Sequence, residues 1–284
     1  MRETSCSVSL LSLIAPLFSS LSEQEYAEVR ENPAWDAVCA ASSQEAADPA
    51  ERETLGCACA LPDWPQRSLL QNEVLVSGMP LAAMPVESLY KPWSSDSRNA
   101  YGSQRGLYRG EPARHMQSVY ASLDIEVSER FAAMPDHLTL ELELLALLLE
   151  AGNAAAAATV AFEHLDWLDD YDAALARCAR DLADATRLND ACRAQLAEGI
   201  AHLRALVAVA CRTAREAAAT GEPAAAQPCA RVQTASRKAA PFREAVPARE
   251  EAPVWEAAPA WGATPTQAAA PTSKEPLALC GDVR

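Results

Sequence analysis

Residues 134–168 read MPDHLTLELELLALLLEAGNAAAAATVAFEHLDWL, and no other stretch constrains the fold so strongly. The segment from Leu138 to Leu144 alternates with period two, as a strand would. Leu and Glu are strong helix formers, however, and the apolar run continues to Leu149, too long for an ordinary strand. Leu138, Leu142, Leu145 and Leu149 recur at helical spacing, while Leu140, Leu144, Leu147 and Leu148 fill the neighbouring faces. A helix apolar nearly all round belongs at the centre of a bundle. Pro135 suits the first helical position and Asp136 the positive end of the helix dipole. Gly152 stops this helix, and Asn153 caps a second one whose Val160, Ala161, Leu165 and Leu168 face the same core.

A helical hairpin brings its two outer ends together. Asp136, His137, Glu141 and Glu143 then meet Glu163, His164, Asp166 and Trp167 at one mouth. Guanidinium groups call for carboxylates, and an apolar peptide calls for a groove, so this set fits a receptor for a cationic, apolar peptide better than an enzyme. Asp136, Glu141 and Asp166 are the candidate carboxylates, with Glu87 in reserve; Trp167 and Tyr90 are placed to stack on guanidinium or line the groove. Plainer roles stand beside these. Asp136 can serve the helix dipole alone, His137 and His164 can bond locally, and Trp167 can be core packing. A metal-dependent enzyme using His137, Glu141 and His164 is a further alternative, but no ligand signature such as His-Glu-x-x-His accompanies it.

The remaining pattern is also helical. Residues 8–21 are apolar enough to resemble a signal-peptide core, yet serines and Pro16 interrupt them, which favours the first helix of a bundle. Ser22 and Glu25 form a capping box for residues 22–30, and Asp48-Pro49 opens another helix. Residues 69–76 read as helix, and residues 77–110 as irregular because Gly, Pro, Ser and Asn cluster there. Glu111-Pro112 starts a helix carrying Met116, Val119, Tyr120 and Leu123. Two more are expected over about residues 172–185 and from Asp190 onward. The expected fold is all-α: one helical bundle domain over residues 1–216.

From Ala217 the composition changes to Ala and Pro, so residues 217–284 are expected to be a disordered tail. Pro241, Pro247, Pro253, Pro259, Pro265 and Pro271 recur every six residues, with Arg243, Arg249, Trp255, Trp261 and Gln267 two places behind a proline. A polyproline II arm would set those side chains along one edge, so a scaffold that binds partners through its tail is a second functional reading.

The tail holds seven Lys/Arg and seven Asp/Glu, so the whole net charge of −15 resides in residues 1–216. That acidity disfavours nucleic acid and anionic membrane and favours cationic ligands. No segment approaches a membrane span of about 20 apolar residues. The nine cysteines are irregularly spaced, lack a Cys-x-x-Cys pair, and point to a reducing cytosol.

Taken with Glu87-Ser-Leu-Tyr90 upstream, the segments Pro-Asp-His-Leu138, Glu141-Leu-Glu143 and Phe162-x-His-Leu-x-Trp167 resemble the TorD/DmsD/NarJ type of cytoplasmic chaperone, over roughly residues 70–215. The resemblance implies an all-α fold, no catalytic activity and no cofactor. It implies binding of the twin-arginine signal peptide, or a comparable N-terminal segment, of an apo molybdopterin oxidoreductase subunit until its cofactor is inserted. Matched position by position, it assigns peptide-site roles to Tyr90, Asp136, His137, His164 and Trp167. The sequence departs from the pattern at Glu73-Val-Leu-Val76, which lacks aromatics, at Met134, where an acidic residue is common, and in the tail.

Overall fold

A computed structural model describes residues 3–96 and 98–220. Among these residues there are ten α-helices and no strand: α1 (Glu3–Ile14), α2 (Glu23–Arg30), α3 (Ala34–Glu45), α4 (Pro49–Cys59), α5 (Trp64–Val74), α6 (Glu111–Ser122), α7 (Leu138–Glu150), α8 (Ala154–His164), α9 (Leu168–Asp181) and α10 (Asp190–Thr220). The proline period and all of residues 221–284 lie outside the described residues.

Local chemistry explains most helix starts. Ser22 and Glu25 complete the capping box on α2, and the carboxylates of Asp48 and Asp63 accept from Glu51 and Gln66 at the starts of α4 and α5. Asn153 accepts from the Ala156 amide to cap α8. Gly152, at φ +69°, supplies the left-handed turn between α7 and α8 that a side chain would strain.

Three sequence expectations shift. Helix α5 begins at Trp64 rather than near Leu69, because Asp63 caps it and Pro65 lies in its first turn. Helix α9 begins at Leu168, ahead of the expected 172. Helix α7 is capped by His137, so Pro135 and Asp136 stand outside it and do not form its first turn.

The core is built around α7 and α10. Leu138, Leu142 and Leu145 are fully enclosed. Helix α7 packs on α1 and α8, and α10 packs on α4, α5, α8 and α9. By length and composition α10 could cross a membrane, but 61% of its most apolar window is buried inside the bundle, as in a core helix. Arg67 is buried beneath the N-terminal elements, where its guanidinium donates to the Leu17 and Ser19 carbonyls. Cys39 and Cys59 form a disulfide between α3 and α4, which corrects the expectation of uniformly reduced cysteines; their separation of 20 residues carried no spacing signal.

Candidate functional site

The irregular segment after α5 is drawn onto the start of α7. Val86 and His137 form an isolated antiparallel bridge, with the Glu87 amide donating to the Asp136 carbonyl at 3.0 Å and the Leu138 amide to the Pro85 carbonyl at 2.9 Å. This clamp delivers Glu87 and Ser88 to the open end of the α7–α8 hairpin. Asp136 Oδ2 accepts from the Ser88 amide at 2.8 Å and from the Ser88 hydroxyl, whose oxygen also accepts from the Gly110 amide at 3.2 Å. Asp136 is therefore the pin that holds this loop, and its Oδ1 has no hydrogen-bond donor.

Next to it an acid–imidazole chain runs from the buried Glu87 and His164 out to the exposed His115. Glu87 Oε2 meets His164 Nδ1 at 2.8 Å, and His164 Nε2 meets His115 Nδ1 at 2.8 Å. Lys91 Nζ caps the chain from outside, 2.6 Å from Glu87 Oε1, 2.5 Å from Asp166 Oδ1 and 2.6 Å from the Glu163 carbonyl. The Lys91 ammonium at that distance is a full ion-pair partner for Glu87 Oε1. Glu141 Oε2 accepts from Trp167 Nε1 at 3.2 Å, while its Oε1 has no donor.

Behind the chain stand three aromatics. Tyr90 stacks on Trp167 with centroids 5.1 Å apart, and both contact Tyr171. Trp167 Nε1 also donates to the His164 carbonyl at 2.7 Å, and the Tyr90 hydroxyl donates to the Met84 carbonyl at 3.0 Å.

Burial sets the electrostatics. Desolvation, with Glu87 and Asp136 close by, raises the Glu141 carboxyl well above its ordinary range. Desolvation also raises Asp136, opposed by the bonds from Ser88. His137, enclosed and near Arg130, is pushed down to about 3, so its imidazole is neutral; its Nδ1 accepts from the Thr139 amide at 3.2 Å and its ring packs on Phe131.

The seven sequence-predicted residues are thus gathered at one end of the bundle, but they do not share one surface. Asp136, His137, Glu141, His164 and Trp167 are all buried, with Asp136 and Glu141 at 0% exposure. Tyr90 is half-buried, and Asp166 alone is exposed. The alternative metal set of His137, Glu141 and His164 does not form, because His137 is committed to the cap of α7. Lys91, Ser88 and His115 were not among the expected residues. Ser88 and His115 meet partners 48 and 49 residues away, which no local spacing reveals, whereas Lys91 pairs with Glu87 four residues earlier and that spacing was the one local signal available.

Outside the acid–imidazole chain opens a cleft of about 630 Å³ between α6 and α8, with Glu87, Lys91, Glu111, His115, Glu163 and His164 in its wall. Beyond Glu163, Phe162 projects with 74% exposure beside a smaller hollow of about 270 Å³ lined by Ala161, Leu165 and Ala214.

The site is thus an acid–imidazole lock at one end of an all-α bundle, with a surface cleft opening over it. Residues 72–181 match the family described as nitrate reductase delta subunit, in line with the resemblance of the motifs to NarJ/TorD-type chaperones. The matched segment holds every residue from Tyr90 to Trp167 named above, and the family is one of maturation rather than catalysis. No curated protein and no solved structure matches the chain significantly.

Proposed function

We propose that this protein is a cytoplasmic, non-catalytic chaperone that holds the twin-arginine signal peptide, or a comparable N-terminal segment, of a molybdopterin oxidoreductase while its cofactor is inserted. The coarser part, a role in maturing nitrate-reductase-type molybdoenzymes, follows from the family of residues 72–181. One observation carries the finer part: the matched segment holds a cleft in which Glu87, Glu111 and Glu163 face Lys91 and Arg114, and Lys91 already bonds the carboxylates and carbonyl that a guest arginine could take.

The peptide contacts are assigned to the rim. Glu163 and Asp166 are exposed carboxylates on one edge of the hairpin, and Glu111 faces them across the cleft. Phe162 and its adjoining hollow take the apolar stretch that follows the arginines. Asp136, His137, Glu141, His164 and Trp167 act from below: they fix the loop carrying Tyr90 and Lys91, and they reach a guest only if that loop lifts. Lys91 is a placeholder that a guest guanidinium displaces or flanks.

The magnitudes agree with reversible holding. Two charge-assisted bonds contribute ~1.5–3 kcal/mol each. Two or three buried apolar side chains add ~1.5–3 kcal/mol each. Ordering the peptide costs ~2–5 kcal/mol. Mid-range values leave about −7 kcal/mol, a dissociation constant on the order of 10 μM, from which a client can be released. Affinity isolation of the full chain from its native host tests the reading. Recovery of an apo molybdoenzyme subunit supports it; recovery of none, with the chain itself abundant, opposes it.

A further inference from the structure

We infer that His115, Glu163 and His164 form a binding site for a divalent first-row transition metal ion on the wall of the α6–α8 cleft. Their ligand atoms lie within 4.8 Å of one another, and they come from two helices that face each other across the opening. Residue types favour such an ion: imidazole and carboxylate together suit zinc, iron, nickel and copper, and two histidines with one carboxylate leave a position open to solvent or a guest.

The geometry is prepared beyond the ligands. Glu87 Oε1 is taken by Lys91, and Oε2 faces His164 Nδ1 at 2.8 Å. A carboxylate only accepts, so Nδ1 carries the hydrogen and Nε2 is the nitrogen left to ligate from the cleft side. That is the carboxylate–histidine support that orients metal-ligating imidazoles. Nε2 lies 2.8 Å from His115 Nδ1. Zinc bonds of ~2.0–2.1 Å in tetrahedral geometry hold two nitrogens about 3.3 Å apart, so the pair must open by roughly 0.5 Å. His115 is exposed and free to turn by that amount, as is Glu163. The other two histidines are committed elsewhere: His137 to its cap, and His202, which faces the Cys57 carbonyl.

Such an ion would tie α6 to α8 across the cleft. The inference makes no use of the peptide reading, and its test contains no peptide, so either can fail alone. Zinc sulfate is titrated calorimetrically into the full, untagged chain after chelator treatment, with cobalt(II) as a spectroscopic probe. The expected result is one equivalent bound, cobalt d–d bands without thiolate charge-transfer absorption, and affinity reduced at least about tenfold in both His115→Ala and Glu163→Gln. Absence of stoichiometric binding, a thiolate-type cobalt spectrum, or a smaller loss in either variant overturns the site. Both substitutions fall on exposed helical positions, and a circular dichroism melt of each variant confirms that the fold is intact.

Discussion

Lys91 Nζ lies 2.6 Å from Glu87 Oε1, an ammonium set against a carboxylate that is wholly enclosed. The same nitrogen reaches Asp166 and the Glu163 carbonyl, so one side chain joins the loop after α5 to the end of α8. An acidic pocket left without a cation would have to bear buried negative charge. This chain supplies the cation itself.

Removing Lys91 should therefore be costly. In Lys91→Ala the Glu87 carboxylate loses its counter-charge, and breaking a buried pair from one side typically costs ~3–5 kcal/mol; the 19% exposure of Lys91 places the expected loss toward the lower figure. Urea denaturation measures it. A twin-arginine peptide should raise the melting temperature of Lys91→Ala more than that of the unaltered chain, because its guanidinium re-enters the vacated position. Equal shifts would show that guest and Lys91 do not share a site.

The contribution of the buried His137 and His202 to stability should fall toward acid. His137 has a folded pKa of about 3 against 6.5 for the free side chain, and His202 is also lowered, both chiefly by desolvation. The unfolded chain then binds more protons below pH 6.5, so the contribution is complete above 6.5 and is lost as pH falls toward 3. Denaturation midpoints at pH 7 and pH 5 check this, with His137→Gln expected to flatten the difference.

The buried carboxyls act in the other direction. Asp136 and Glu141 are raised by desolvation, so the folded state holds their protons more tightly than the unfolded state. That contribution is complete below the ordinary carboxylate range and is lost as pH rises through the folded values. Glu141→Gln keeps an acceptor for Trp167 Nε1 while removing the ionisable group, and should stabilise the chain at neutral pH by about 1 kcal/mol. A decrease in thermal stability in this variant would contradict the assignment.

The Cys39–Cys59 bond offers a separate test. A closed loop of this size is worth about 3 kcal/mol in the unfolded-chain account. Reductant should lower the melting temperature by several degrees without unfolding the bundle, since Trp35 Nε1 still donates to the Cys59 carbonyl at 3.0 Å and holds α3 on α4. Calorimetry with and without reductant reads the change.

The sequence made the scaffold legible wherever the signal was local. Capping residues Ser22, Asp48 and Asn153 stand where their helices start, and the leucine pattern of 138–149 is a central helix. The α7–α8 hairpin was readable for the same reason, and with it the meeting of Asp136 and Glu141 with His164 and Trp167. Depth was not readable. Whether Asp136 faces solvent or Ser88 depends on a loop 48 residues upstream, and the His115–His164 pair spans 49 residues. Period and propensity describe faces of one helix; they carry no information on what a neighbouring loop lays over that face. The family resemblance carried no information on burial, and of the set expected at an open mouth Asp136, His137, Glu141, His164 and Trp167 are buried.

The most direct measurement is calorimetric titration of a synthetic twin-arginine signal peptide into the full chain, in chelator and at two salt concentrations. The account predicts a dissociation constant on the order of 10 μM, weakening with salt, and a loss of about tenfold in a Glu163→Gln, Asp166→Asn double variant that melts normally. No binding of the arginine peptide, or equal binding of a peptide with both arginines replaced by glutamine, would contradict it.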